Sequence, residues 1–194
     1  KVKQDSIVAV FGVGGIGLSA IIGSNLMGAA TIIAVDKFSH KLETASSMGA
    51  THTIDVNKVD ALDEINKITQ GKGVDYAFEA AGVSKAMEDA FRSVRSGGGL
   101  CIVAGNLPEG ETIAISPFDL IKGKCIVGTW GGESDPDKDI PLYLNWYREQ
   151  KLKLGHLIAK TYTELMSTKN ENSESRKASV QDFMRKLRQD PEKL

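Results

Sequence analysis

Residues 8–20, VAVFGVGGIGLSA, run from an apolar segment directly into four glycines within six positions. The apolar segment, residues 7–11, contains no polar side chain and is rich in β-branched residues. A strand of this kind is buried on both faces of a sheet. Helices must then cover both sides of that sheet, so the segment predicts an α/β fold.

The alternation of strands and helices continues along the chain. Strands are predicted at residues 7–11, 31–36, 51–55, 73–82, 99–105 and 124–132, and helices at 15–27, 40–49, 60–69, 84–95 and 139–154. Gly28 and Gly49 are placed to end the first two helices, and Pro141 falls in the first turn of the last. This order predicts a doubly wound, six-stranded parallel sheet with helices on both faces.

Three glycines form a G-x-G-x-x-G motif where the first strand meets the first helix. Gly12 permits a tight turn, Gly14 lets a pyrophosphate approach the backbone, and Gly17 lets the helix pack closely on the strand. The pyrophosphate would rest on the free N–H groups and positive dipole end of the helix. The turn also includes Val13, Gly15 and Ile16. The motif therefore predicts a nucleotide site.

An acidic residue ends the second predicted strand. Asp36 lies nineteen residues beyond Gly17, where its carboxylate can accept hydrogen bonds from an adenosine ribose. The same charge would repel a 2′-phosphate, which favours NAD over NADP. Lys41 could reach the same ribose or could be an ordinary surface lysine. S-adenosylmethionine is the competing ligand, since its binding folds also combine a glycine-rich turn with an acidic strand end.

The composition changes near residue 164. We predict a nucleotide-binding domain over residues 1–163, followed at 164–194 by a polar linker and a short amphipathic helix. The helix carries Val180, Phe183, Met184 and Leu187 on one stripe. Such a short helix is unstable alone, so this stripe must dock on another surface.

Charge, hydropathy and cysteine usage exclude several classes of protein. The net charge of −1 does not favour nucleic-acid binding, and neither a membrane span nor a signal peptide is predicted. Cys101 and Cys125 lie in or beside predicted strands without metal-ligand spacing, so we expect both to be buried, reduced thiols. A cytoplasmic location is therefore expected.

Six segments follow one another along the chain: VAVFGVGGIGLSA, IIAVD, MGATHTID, GVDYAFEAAG, GGGLCIVAG and KGKCIVGTWGG with DIPLYLNWYREQKLKL. Together they resemble the cofactor-binding domain of the zinc-dependent medium-chain alcohol dehydrogenases, a family that includes glutathione-dependent formaldehyde dehydrogenases. The resemblance extends in order from residue 5 to about residue 163. It implies a Rossmann fold, NAD as cofactor, and hydride transfer between an alcohol and an aldehyde or ketone.

The resemblance also implies roles for individual residues. The turn from Gly12 to Gly17 would hold the pyrophosphate, Asp36 would bind the adenosine ribose, and Lys41 would support it. The adenine-side ribose would be lined by Ala80, Ala81 and Gly82. The nicotinamide carboxamide would be bound by the backbones of Val103, Gly128 and Trp130. Because dimers of this family pair their sheet edges, residues 124–130 are expected to form a homodimer edge.

The metal-binding part of this family has no counterpart in the sequence. The family's catalytic zinc and proton relay belong to an earlier segment, and His40, His52 and His156 are scattered singly here. We therefore expect zinc only in a separate catalytic domain, and NAD binding without alcohol oxidation by this chain alone. The alternative is a non-catalytic NAD-binding module that recruits a partner through its C-terminal helix.

Overall fold

The computed structural model describes residues 2–152 and 154–157 of the 194-residue chain. The strands are β1 Ile7–Phe11, β2 Thr31–Asp36, β3 His52–Asp55, β4 Tyr76–Glu79, β5 Leu100–Val103 and β6 Cys125–Gly128. The α-helices are α1 Gly15–Leu26, α2 Ser39–Ser47, α3 Ala61–Ile68, α4 Ser84–Ser93, α5 Pro117–Ile121 and α6 Pro136–Arg148. Short 3₁₀ helices span Gly131–Glu133 and Leu154–Leu157. The predicted linker and amphipathic helix at 164–194 lie outside the described residues.

The six strands form one parallel sheet in the order β3-β2-β1-β4-β5-β6. This confirms the predicted doubly wound α/β fold. The strand order reverses between β1 and β4, which lie side by side although two strands separate them in the sequence. In open parallel sheets, ligands bind outside the carboxyl ends of the strands at such a reversal.

Strand β1 is buried on both faces, as its composition predicts. Its residues alternate between two separate apolar clusters. Ala9 and Phe11 pack into the cluster that contains Ile65 of α3, whereas Val8 and Val10 pack into the cluster that contains Ile21 of α1. Helices therefore cover both sides of the sheet, and burial of these side chains stabilises the layered arrangement.

Glycines and an aspartate fix the ends of several helices. Gly28 and Gly49, with φ of 79° and 116°, follow α1 and α2 in a backbone conformation that glycine adopts without strain. Asp60 caps α3 by accepting hydrogen bonds from the backbone N–H groups of Leu62 and Asp63 at 2.9 and 3.0 Å. These local signals explain why the boundaries of the first three helices were predicted closely.

An ion pair stabilises the end of the sheet at which the strands begin, opposite their carboxyl ends. Asp75 accepts a hydrogen bond from the Ile7 N–H at 2.9 Å and another from Arg95 Nε at 2.7 Å. Partial burial opposes ionisation, but these two bonds and the guanidinium charge outweigh it and lower the pKa of Asp75. The contacts join β1, the residue before β4, and the segment that follows α4.

Asp75→Asn is expected to destabilise the chain at neutral pH by about 1 kcal/mol, because the charged hydrogen bonds are weakened. A carboxyl with a lowered pKa stabilises the fold above its unfolded-state pKa, and this contribution disappears as pH falls through the folded-state value. The difference in unfolding free energy between the two chains should therefore shrink below about pH 4. Urea unfolding across pH 3–7 measures it, and a difference that stays constant with pH would contradict the expectation.

The region after β5 differs from the sequence-based predictions. Helix α5 was not predicted, and α6 begins at Pro136 rather than at 139 and ends at Arg148 rather than at 154. Pro141 therefore lies inside α6 and not in its first turn. The reason is that Pro136 itself occupies the start of the helix, where a fixed φ and a missing N–H are tolerated.

The two cysteines also differ from each other. Cys101 is fully buried, and desolvation raises the pKa of its thiol to about 12. Cys125 is exposed, so the prediction that both thiols are buried is wrong for this residue. It lies on β6, the edge strand, where no further strand of the sheet covers it.

No helix among the described residues is long and apolar enough to cross a membrane.

Candidate functional site

A cavity of about 530 Å³ opens at the carboxyl ends of β1, β2 and β4, beside the reversal of strand order. Its walls combine backbone from the glycine turn with apolar side chains and a few charged groups. Predicted site residues in this lining are Gly12, Gly14, Asp36, Lys41, Ala80 and Ala81. The remaining lining residues are Phe11, Val35, Lys37, Phe38, Val56, Val59, Asp60, Ala61, Val83, Lys85, Ala86 and Asp89.

Each of the three motif glycines occupies a different environment. Gly12 has φ of +86°, and a Cβ there would lie 2.7 Å from the Cβ of Ala81. A Cβ on Gly17 would lie 1.9 Å from the carbonyl oxygen of Gly12. A Cβ on Gly14, which precedes α1, would by contrast lie within 4 Å of no atom in the part of the chain that the structure describes, apart from its chain neighbours. Close packing therefore requires glycine at positions 12 and 17, whereas glycine at position 14 leaves open space.

That open space adjoins the beginning of α1. The Leu18 N–H donates to the Gly14 carbonyl at 2.8 Å, so the N–H groups of residues 15–17 precede the first helical hydrogen bond. They form a positive region well suited to an anion. Within the same turn, Val13 is buried and Ile16 is 60% exposed, and neither lines the cavity.

Asp36 is fixed at the cavity by two backbone hydrogen bonds. Its Oδ2 accepts from the Val13 N–H at 2.9 Å, and its Oδ1 accepts from the Phe38 N–H at 3.0 Å. The first bond ties the end of β2 to the glycine turn. Each carboxylate oxygen can accept a further bond, so the group remains able to bind hydroxyl donors.

Two lysines lie over the same aromatic ring beside Asp36. Lys37 Nζ is 5.1 Å and Lys41 Nζ is 5.0 Å from the centroid of Phe38, distances typical of cation–π contacts. All three side chains line the cavity. The acidic residue that ends β2 is thus accompanied by two positive charges, of which only Lys41 was singled out from the sequence.

The cavity lining also includes an ion pair on α4 that is not predicted from the sequence. Lys85 Nζ lies 2.7 Å from both carboxylate oxygens of Asp89, one turn further along α4. Asp89 is only 6% exposed. The i, i+4 spacing of opposite charges was visible in the sequence, but it is common on helix surfaces and does not by itself indicate a site.

The residues assigned to the nicotinamide form a second group. Val103 and Gly128 are direct neighbours at the ends of β5 and β6, and the Val103 carbonyl accepts a hydrogen bond from the Thr129 N–H at 3.0 Å. Trp130 follows and is 88% exposed. None of the three lines the cavity. Gly82 lies outside the lining as well, and a Cβ on it would lie 2.6 Å from the Asn106 carbonyl oxygen.

The described residues do not form a metal site. Over 2–152 and 154–157, no group of three or more His, Cys, Asp or Glu side chains is arranged to hold an ion. The donor set needed for tetrahedral zinc is therefore not met in this part of the chain.

Comparison with known proteins agrees with this architecture. The profile of a family described as zinc-binding dehydrogenase matches residues 15–149. The chain belongs to the zinc-binding dehydrogenase family. The S-(hydroxymethyl)glutathione dehydrogenase of Paracoccus denitrificans is 35% identical over 167 residues, which cover 83% of this chain and 44% of that protein.

Solved structures of dehydrogenases share the fold. Benzyl alcohol dehydrogenase from Acinetobacter calcoaceticus is 33% identical with a TM-score of 0.78, over 81% of this chain and 43% of that one. A Sinorhizobium meliloti protein assigned as a zinc-binding dehydrogenase, solved with NADP bound, is 28% identical with a TM-score of 0.73, over 81% of this chain and 46% of that one.

This zinc-binding dehydrogenase chain spans about two fifths of the length of the curated relatives it matches. The matched part corresponds to the domain that binds the nicotinamide cofactor, NAD or NADP. The comparisons give no support to the alternative of a non-catalytic module that recruits a partner. The recruiting helix of that alternative lies outside the described residues.

Proposed function

We propose that this chain is the NAD-binding domain of a zinc-type alcohol dehydrogenase and holds the hydride acceptor for exchange between an alcohol and an aldehyde or ketone. The observation that carries the proposal is the cavity at the reversal of strand order, where the glycine turn, Asp36 and the Ala80–Ala81 backbone meet. The open space at Gly14 fits a pyrophosphate, because among the described residues no atom lies within 4 Å of a Cβ built on this glycine.

The chain's own residues would act mainly by positioning. The N–H groups at the start of α1 would bind the pyrophosphate, and Asp36 would bind the adenosine ribose with help from Lys41. The apolar walls, including Val35 and Val59, would exclude water from the adenine. When bound, NAD supplies the hydride acceptor. The backbones of Val103, Gly128 and Trp130 are proposed to orient the nicotinamide.

NAD is proposed over NADP because Asp36 faces the cavity with its carboxylate held in place. Calorimetric titration with NAD, NADP and S-adenosylmethionine tests this, beside Asp36→Ala. The variant should bind NAD roughly tenfold more weakly, since charge-assisted hydrogen bonds are lost, and should bind NADP relatively better. The ratio of the two affinities is decisive, because general damage to the site would weaken both cofactors equally.

Asp63→Ala is the matched control, since Asp63 is an exposed carboxylate on α3 that does not line the cavity. It should leave both affinities unchanged. Equal binding of NAD and NADP by the unaltered chain would remove Asp36 from its role. Binding of S-adenosylmethionine alone would overturn the proposed function.

The catalytic zinc is proposed to lie in a different domain of the complete protein. Polarising the alcohol oxygen and lowering its pKa are the tasks of zinc in this chemistry, and the described residues do not provide a metal site. The chain alone should therefore bind NAD without oxidising alcohols. NADH formation above background from ethanol or a formaldehyde–glutathione adduct, followed at 340 nm, would contradict this.

A homodimer through the edge near residues 124–130 is proposed as well. Strand β6 lies at the edge of the sheet that the described residues form, and such an edge strand, with Val127 46% exposed, favours pairing with another strand. Sedimentation at high protein concentration tests it, and a monomer would count against this edge.

A cytoplasmic location is proposed on the two free cysteines.

A further inference from the structure

Glu79 is a carboxyl group with no exposed surface. It ends β4, and its relative exposure is 0%. Charged side chains are rarely buried completely unless an ion pair or hydrogen bonds compensate for lost hydration. No ion pair within the described residues involves Glu79. Its burial therefore calls for a structural reason.

Hydrogen bonds from the next turn supply part of that reason. Glu79 Oε1 accepts from the N–H groups of Ala81 and Gly82, each at 2.8 Å. The other oxygen, Oε2, is buried without a hydrogen-bond partner. Desolvation raises the pKa of Glu79, although the backbone N–H groups of Gly82, Ala81, Val83 and Gly105 act against it. The carboxyl thus uses one oxygen to hold two adjacent amides of a single turn.

The turn held in this way forms part of the cavity wall. Ala80 and Ala81 line the cavity, and the Ala80 N–H donates to the Phe11 carbonyl at 2.8 Å. Ala81 also lies against Gly12, since a Cβ on that glycine would be 2.6 Å from the Ala81 nitrogen. A displacement of this turn would therefore be transmitted to the glycine turn.

Glu79 contacts a second turn as well. Its backbone carbonyl accepts hydrogen bonds from the N–H groups of Ala104 and Gly105 at 2.9 and 3.1 Å. A Cβ on Gly105 would lie 2.6 Å from Glu79 Oε2. The residue thus lies between the turns that follow β4 and β5, and these turns adjoin the two groups of predicted cofactor-binding residues.

We infer that Glu79 is a positioning residue for the bound dinucleotide: through Oε1 it holds the turn of residues 80–82 against Gly12 and so sets the cavity wall. It does not contact the cofactor itself. The inference rests on the proposed function. It depends on hydrogen-bond geometry and not on negative charge, so glutamine, which keeps an acceptor oxygen and is neutral, should replace glutamate.

The test compares Glu79→Gln with Glu79→Ala in the full chain. NAD affinity is measured by calorimetry, and hydrogen exchange of the Ala81 and Gly82 amides is measured by NMR without cofactor. We expect Glu79→Gln to stay within about twofold of the unaltered chain in both readouts. Glu79→Ala should bind NAD about tenfold more weakly and should exchange these two amides faster, because both lose their acceptor.

Val94→Ala serves as the control for lost stability. Val94 is 1% exposed and follows α4, and it does not line the cavity. Its truncation should lower the thermal midpoint without changing NAD affinity. If Glu79→Ala does not fold, Glu79→Asp replaces it, since the shorter side chain should reach the two amides poorly and weaken NAD binding likewise.

Different results would contradict the proposed function and the positioning role of Glu79. If the unaltered chain binds neither NAD nor NADP, the proposed function is overturned. If it binds NAD and Glu79→Ala binds equally well with unchanged amide exchange, the role of Glu79 is overturned. A Glu79→Gln chain that protects the Ala81 and Gly82 amides as the unaltered chain does, yet binds NAD as weakly as Glu79→Ala, also overturns it, because the acceptor bonds then do not set the affinity.

Discussion

Gly17→Ala is expected to destabilise the fold by at least about 3 kcal/mol, at the upper end for overpacked sites. The added Cβ would lie 1.9 Å from the Gly12 carbonyl oxygen and 3.3 Å from Cγ1 of Val10. The first contact is with backbone, which cannot move aside as a flexible side chain can. Either α1 must shift away from β1, or the glycine turn must deform.

Chemical denaturation measures this loss, and Gly23→Ala in the same helix is the matched control. Apart from the backbone of its own helix, a Cβ on Gly23 would meet no atom of the described residues within 4 Å, so alanine should stabilise the helix by roughly 0.5–1 kcal/mol through its higher helix propensity. The two substitutions should thus change stability in opposite directions. A Gly17→Ala chain as stable as the unaltered one would show that helix and turn are not in close contact.

Gly14→Ala is expected to separate binding from folding. Its Cβ would enter space that no atom of the described residues occupies, and its φ of −80° suits any residue, so the unfolding free energy should fall by only about 1 kcal/mol, the cost of alanine at a helix N-cap. NAD affinity should nevertheless fall by tenfold or more, that is by at least about 1.4 kcal/mol, because the methyl group would occupy the pyrophosphate's position.

Calorimetric titration and thermal unfolding are measured together for this variant. Gly23→Ala is again the control, since it lies two turns further along α1 and should leave NAD affinity unchanged. Undiminished NAD binding by Gly14→Ala would mean that the pyrophosphate does not lie over this glycine. A large loss of stability would instead show that glycine at position 14 has a packing role.

Local signals explain which parts of the fold were predicted. The apolar run at residues 7–11 indicated a strand buried on both faces, and the two clusters on either side of β1 confirm it. Gly28 and Gly49 marked helix ends through a backbone conformation that glycine favours. Beyond β5 these signals weaken: Pro136 and Pro141 both suit a helix start, and the structure begins α6 at Pro136.

Contacts between segments that are distant in the sequence explain why several features of the site and of the sheet edge could not be predicted. The bond between Asp36 and the Val13 N–H joins residues 23 positions apart, and the neighbours of Glu79 come from turns after two different strands. Cys125 is predicted to be buried because it lies in or beside a predicted strand without metal-ligand spacing, but a strand at the sheet edge is not covered as a central strand is. Its position in the sheet decided its exposure.

The sequence by itself determined the alternation of strands and helices, the glycine turn and the acidic residue that ends β2. These follow from side-chain periodicity and from conformations available to single residues, which act over a few positions. Only the tertiary structure decided that β1 lies beside β4, which brings Ala81 against Gly12 and opens the cavity between them. It also decided that Glu79 is buried beneath that contact, because burial depends on which strands become neighbours.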